Sequence, residues 1–240
     1  MRWTHEIVLL NEGHASSRRN TLGGPPILAK GQSLPNCGLC CKPLALLVQF
    51  DISDEFDMPF ESGSHFLMFG CLHCVSEVPH GIYLNSQDPP SIERHPDVGK
   101  YVNASACLIL NRNGFEESVM QVDESILETS IEFRKIPEEH EFSSYAGQDS
   151  SKHYLAKVGG IPNWPHCGIQ LASTEKHRGS YDISCTCGER YAFLAQFPSR
   201  YQFPGIGETY PAVFAQGFIT IFACVAQCKP TSLLLRSENY

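Results

Sequence analysis

Short cysteine pairs stand at four places in this chain. Two follow the CxxC pattern, Cys37-Gly-Leu-Cys40 and Cys71-Leu-His-Cys74; two are spaced differently, Cys185-Thr-Cys187 and Cys224-Val-Ala-Gln-Cys228. Two such pairs, brought together from the ends of neighbouring strands, make a tetrahedral zinc site. The spacing therefore predicts two structural zinc centres, one from Cys37, Cys40, Cys71 and Cys74 and one from Cys185, Cys187, Cys224 and Cys228. Four thiolates fill the coordination shell and leave no place for water or substrate. The metal chemistry expected here is clamping.

Some ligand choices stay open in the sequence. Cys41 can take the place of Cys40 by slipping one residue. Aligning Gln49 with Gln196 sets Cys187 opposite Cys40, and the counterpart of Cys37 is then either Cys185 or Cys167, because WPHCG mirrors LPNCG. Cys107 has apolar neighbours and reads as a buried thiol. A catalytic metal needs an open coordination position and a nearby base; the sequence has no HExxH, P-loop, GxGxxG or GxSxG. The expectation is a protein that is not an enzyme, with no catalytic residues.

Each cysteine pair is tied to an apolar segment that reads as a strand. TLGGPP, a cysteine pair, LALLVQF and FLMFG-Cys71 follow in order, then KVGGIP, a cysteine pair, YAFLAQF and FITIFA-Cys224. The expected fold class is α+β, mostly β, and internally duplicated: two similar β-rich halves packed together with cysteine pairs at strand ends. Residues 1–80 form the first repeat with a leader, 81–155 an acidic connector and 156–240 the second repeat. Leu44–Ile52 is almost continuously apolar, which predicts a strand covered on both faces. Tyr101–Leu110 alternates and predicts a strand. The segment from Val119 to Phe133 carries both helical and strand signals. Gln49 and Gln196, each inside an apolar run, are expected to bond buried backbone groups.

Composition narrows the partners. The chain has 240 residues, 42% apolar, with 18 basic against 26 acidic side chains and a net charge of −8. That balance disfavours phosphate backbones and suits a basic protein. Acid concentrates at Glu116, Glu117, Asp123, Glu124 and Glu128, continuing to Glu141. This run is one expected contact surface. The other is the Pro/Gly-rich loop bearing Tyr201, Phe203 and Tyr210. No apolar run approaches the roughly 18 residues of a membrane span, and the N-terminal residues lack a secretory pattern. A cytoplasmic location with reduced thiols is expected, since reducing cytoplasm keeps cysteines unpaired.

The Gly-Gly-x-Pro segments, the Leu-Pro and Trp-Pro dipeptides and the LALLVQF strand resemble the bacterial YwqG-like family. The Cys-x2-Cys, LALLVQF and FLMFGCLHC combination also looks like the zinc module of programmed-cell-death-2-like proteins. These resemblances cover roughly residues 20–80 and 156–228. The first implies a duplicated β-rich fold and, for members with added cysteine pairs, an immunity protein against a toxin delivered by type VI or contact-dependent secretion. The second implies a chaperone for a new ribosomal protein. Both imply a stoichiometric, 1:1 protein binder, with a basic nuclease toxin as the leading partner and neither nucleic acid nor membrane as a ligand.

Overall fold

A computed structural model describes residues 3–10, 19–37, 40–73, 81–84, 105–110, 117–119, 128–138, 156–162, 180–198 and 218–238. Its strands are β1 (Trp3–Leu9), β2 (Thr21–Leu22), β3 (Ile27–Ala29), β4 (Ala45–Asp51), β5 (His65–Gly70), β6 (Gly81–Leu84) and β7 (Ser105–Leu110). They continue with β8 (Glu117–Val119), β9 (Thr129–Pro137), β10 (Lys157–Val158), β11 (Ser180–Ser184), β12 (Arg190–Pro198), β13 (Phe218–Cys224) and β14 (Leu233–Glu238).

Twelve of these form one sheet in the order β6-β14-β13-β12-β10-β1-β9-β2-β4-β5-β7, with β11 on β12; β3 and β8 make a separate ribbon. The expected mostly-β architecture is present. The expected helical share is not: among the described residues the helical element is a 3-10 turn, Asp54–Phe56, capped by Ser53. The two halves expected to pack together are parts of a single sheet. The reason is β9, which comes from the acidic segment and pairs with β1 along its whole length, from Trp3↔Pro137 to Leu9↔Ile131. What the sequence presents as a connector supplies a central strand. The ambiguity over 119–133 resolves to strand from Thr129 onward, and residues 120–127 lie outside the described residues.

Outward from β1 and β9 the two sides run alike. Short β2 leads to β4, β5 and β7; short β10 leads to β12, β13 and β14. The register of β4 on β5 shifts at Leu47, and that of β12 on β13 shifts at Leu194. Each shift frees a carbonyl for the Gly-Gly turn on that side: Gly23 N–H donates to Leu47 O at 2.9 Å and Gly159 N–H to Leu194 O at 3.0 Å. A bulge leaves one residue without a ladder partner, and here the turn takes it up. Gly159 must be glycine: its φ is +69°, and an added Cβ would stand 2.6 Å from Phe56 O.

The strand read as covered on both faces is so covered. On one face Leu46 joins Leu28, Leu67, Phe69 and Leu108 in a small cluster beneath the ribbon strand β3. On the other, Phe50 enters the main core with Ile7, Phe66, Ile109, Leu194 and Ile221. Phe50 lies 4.9 Å from Phe66 and 5.4 Å from Phe133, ring centre to ring centre. Burying each such ring stabilises the fold by about 2–3 kcal/mol. Gln49 does what its setting demands: its Oε1 accepts from Ile27 N–H at 3.0 Å and its Nε2 donates to Pro25 O at 3.2 Å. Gln196 is fully buried at the matching place, opposite Lys157.

Candidate metal centres

The second cysteine group is complete. Cys185 and Cys187 sit in the turn between β11 and β12, where Cys185 N–H donates to Glu189 O at 2.7 Å and Gly188 N–H to Cys185 O at 2.9 Å. Gly188 has φ +90°, the left-handed conformation that closes so tight a loop. Cys224 ends β13, and Cys228 follows in a turn whose Gln227 has φ +45° and donates its N–H to Cys224 O at 2.9 Å. The irregular spacings therefore do not scatter the ligands, because each loop has a positive-φ residue that bends it back. All four sulfurs lie within 4.8 Å of one another.

Two of the sulfur pairs, Cys185–Cys228 and Cys187–Cys224, are separated by 3.6 Å. Zinc–sulfur bonds of about 2.3 Å give a tetrahedron with edges of ~3.8 Å, while a disulfide needs about 2.05 Å. These two edges have the length of a metal site and exclude a disulfide. Cys185 and Cys224 are buried; Cys187 and Cys228 are exposed.

Thiol acidity shows the same demand for a cation. Burial pushes the Cys185 thiol up, but the Cys187 backbone and the side chains of Ser232, Tyr191 and Cys228 outweigh it and bring it down to about 6. Burial raises Cys224 to about 12, with Cys187 and Cys185 adding to the rise. Burial also raises Cys228. One thiolate forms readily at Cys185, while Cys224 and Cys228, pushed up first by burial, resist a second negative charge. A divalent ion removes that conflict.

The first group places Cys37, Cys40 and Cys71 together within the same 4.8 Å limit, with Cys40–Cys71 at 3.6 Å. Cys37 N–H donates to Lys42 O at 2.8 Å and Cys41 N–H to Cys37 O at 2.8 Å, a turn like that of the second group but one residue longer. Cys41, the alternative to Cys40, is exposed with φ +59° and occupies the turn position that Gly188 fills in the second group. Cys74 and Cys167 lie outside the described residues. Cys107 is fully buried, and burial raises its thiol well above the ordinary range. His73, inside the CxxC, lies against Lys42 Nζ at 3.2 Å.

Of the expected contact residues, Glu116, Asp123, Glu124, Tyr201, Phe203 and Tyr210 lie outside the described residues. Glu117 is in β8, opposite Ala29 of the ribbon. Glu128 is exposed and lies over Gly24, whose added Cβ would meet Glu128 Cγ at 2.8 Å. Glu138, farther along the acidic run, is internal: its Oε1 accepts from Ile161 N–H at 2.6 Å and pairs with buried Lys157 at 3.3 Å.

Two polar groupings escape sequence reasoning. Lys157 is 3% exposed, a charge held by Glu138 and by the carbonyl of Ile161. His65, also buried, has Nδ1 2.9 Å from Asp51 Oδ1 and Nε2 3.3 Å from Gln49 Oε1, while Arg19 clasps Asp51 from outside at 2.6 and 2.8 Å. Both neighbours are acceptors, so a neutral ring donates its one N–H to one of them, and the group joins β4 to β5. The available signals were a histidine opening an apolar strand and a lysine preceding a Gly-Gly turn. No helix among the described residues is long and apolar enough to cross a membrane. Compared with known proteins, the chain matches no family model and no curated protein.

Proposed function

We propose that this chain is a cytoplasmic immunity protein that neutralises a cognate bacterial toxin by stoichiometric binding, on an internally duplicated β scaffold clamped by zinc. The observation that carries this reading is the closed thiolate corner of Cys185, Cys187, Cys224 and Cys228. A zinc ion there has four sulfur ligands and no open position, which supports a structural metal and a binding task over substrate turnover. The first group takes a second zinc through Cys37, Cys40 and Cys71, with Cys74 as the fourth ligand. The duplication is supported by the matched bulges at Leu47 and Leu194 and by the matched Gly-Gly turns.

The net charge of −8 supports a basic partner, for which a nuclease toxin of type VI secretion is the leading choice. Complementary charge speeds association and is screened by salt. Exposed Glu128 and Glu132 belong to the proposed contact surface. The test is coexpression of the adjacent gene's product with and without this protein. Rescue of growth and a 1:1 complex that weakens with added salt are expected. Equal toxicity in both cultures rejects the reading, and isolation of a 1:1 complex with a ribosomal protein transfers it to the chaperone alternative.

A further inference from the structure

The two halves of the sheet are joined in two unlike ways. On one side β1 and β9 make a full antiparallel ladder. On the opposite side, where β7 comes near β14, the hydrogen bonds given by the described residues come instead from the turn between β13 and β14. Gln227 Oε1 accepts from Glu61 N–H at 3.0 Å, Gln227 Nε2 donates to Ser64 Oγ at 3.1 Å, and Pro230 O accepts from Ile109 N–H at 2.8 Å. Glu61 and Ser64 precede β5, and Ile109 lies in β7, so all three bonds cross between the halves.

The same turn carries Cys228 and follows Cys224. Gln227 reaches across from a backbone wound into the left-handed region, at φ +45°, with its N–H on Cys224 O. A residue other than glycine holds that conformation when its surroundings impose it. Here the surroundings are two ligands of one thiolate centre, one before the turn and one at its end.

We infer that the second thiolate centre is the latch that closes the sheet on itself: metal held by Cys224 and Cys228 winds the turn that carries Gln227 and Pro230 onto the first half. This rests on the zinc reading proposed above. Without the cation, Cys224 and Cys228 are no longer tied to one centre with Cys185 and Cys187, and the crossing bonds lose their anchor. The first segments to loosen are then residues 61–64 and β7, which lie in the other half from the metal. The core behind the seam contains Phe60, Cys107, Ile109 and Leu233. Cys107 is fully buried there and reports opening by becoming open to alkylation.

The experiment follows alkylation of Cys107 by iodoacetamide, resolved from the other cysteines by peptide mapping, in the full-length zinc-loaded protein. Protection is expected in the loaded protein and loss of protection after chelation. Gln227→Ala keeps every sulfur ligand; it is expected to retain its zinc and yet to label Cys107 about fivefold faster or more, the scale of hydrogen bonds lost from a local opening. Ser64→Ala, which removes one of the three bonds from the other side, is expected to label faster than the parent and more slowly than Gln227→Ala. Unchanged Cys107 protection in folded, zinc-retaining Gln227→Ala overturns the inference, as does full protection after the second centre has lost its metal. Absence of zinc from the purified protein overturns the metal reading and with it the metal's part in the latch, while the Gln227→Ala and Ser64→Ala rates separately decide whether this turn closes the seam.

Discussion

Asp51 ends β4 and His65 opens β5, and the carboxylate of the first meets Nδ1 of the second at 2.9 Å. Arg19 balances the carboxylate from the solvent side. Desolvation lowers the His65 pKa below 6.5 against the opposing pull of Asp51, and it lowers that of buried His5 as well, helped by Lys135. Burial raises Asp51, but the hydrogen bonds from His65 and Arg19 outweigh it and hold the group below its ordinary 3.8.

All three groups have folded pKa values below their unfolded ones, so the stability they contribute is present at high pH and lost as pH falls. For the histidines the loss begins below about 6.5, the unfolded value, and for Asp51 below about 3.9. A thermal melt series is expected to be flat from pH 8 to 7 and to drop on acidification through the histidine range. Asp51→Asn, which removes the charged acceptor, is expected to cost about 2 kcal/mol at neutral pH, and stability that rises on acidification would contradict this account.

Metal removal should be felt as loss of fold. Chelation is expected to lower the melting temperature, and Cys224→Ser or Cys71→Ser to do the same, because metal affinity and folding are one equilibrium. A loss of at least ~3 kcal/mol corresponds to a fall of roughly 6–12 °C for a chain of this size. Elemental analysis beside the melts checks it; an unchanged midpoint after complete zinc removal speaks against the clamp.

Two glycines separate strain from space. Gly159→Ala meets both a φ of +69° and the Phe56 carbonyl at 2.6 Å, whereas Gly188→Ala meets a φ of +90° with no atom within 4 Å. The first is expected to cost about 3 kcal/mol and the second about 1 kcal/mol. Denaturant unfolding of the two variants side by side gives the ordering, and equal costs would refute it.

Lys157 and Glu138 test whether a buried ion pair is held by its partner. Burial lowers the Lys157 pKa and Glu138 opposes that shift. Glu138→Gln is expected to cost about 3–5 kcal/mol by stranding the ammonium. The double variant with Lys157→Met should recover part of it. A double-mutant cycle measures the coupling, and strict additivity would show the pair to be incidental.

The cysteine grouping was legible in the sequence because ligand choice is local: paired thiols at the ends of apolar runs have few other uses in a reduced chain. Strand β4 was legible for a similar reason, as a continuous apolar run must be covered on both faces, and Gln49 inside it had to find backbone partners. The spacing at Cys185 and Cys224 departs from CxxC, and only the left-handed turns at Gly188 and Gln227 show how it still gathers four sulfurs. Tertiary structure alone placed β9 between β1 and β2, since strand pairing at long range leaves no mark in the composition of an acidic segment. It alone also paired Lys157 with Glu138 and His65 with Asp51, because whether a charge is buried depends on which distant strand lies across from it.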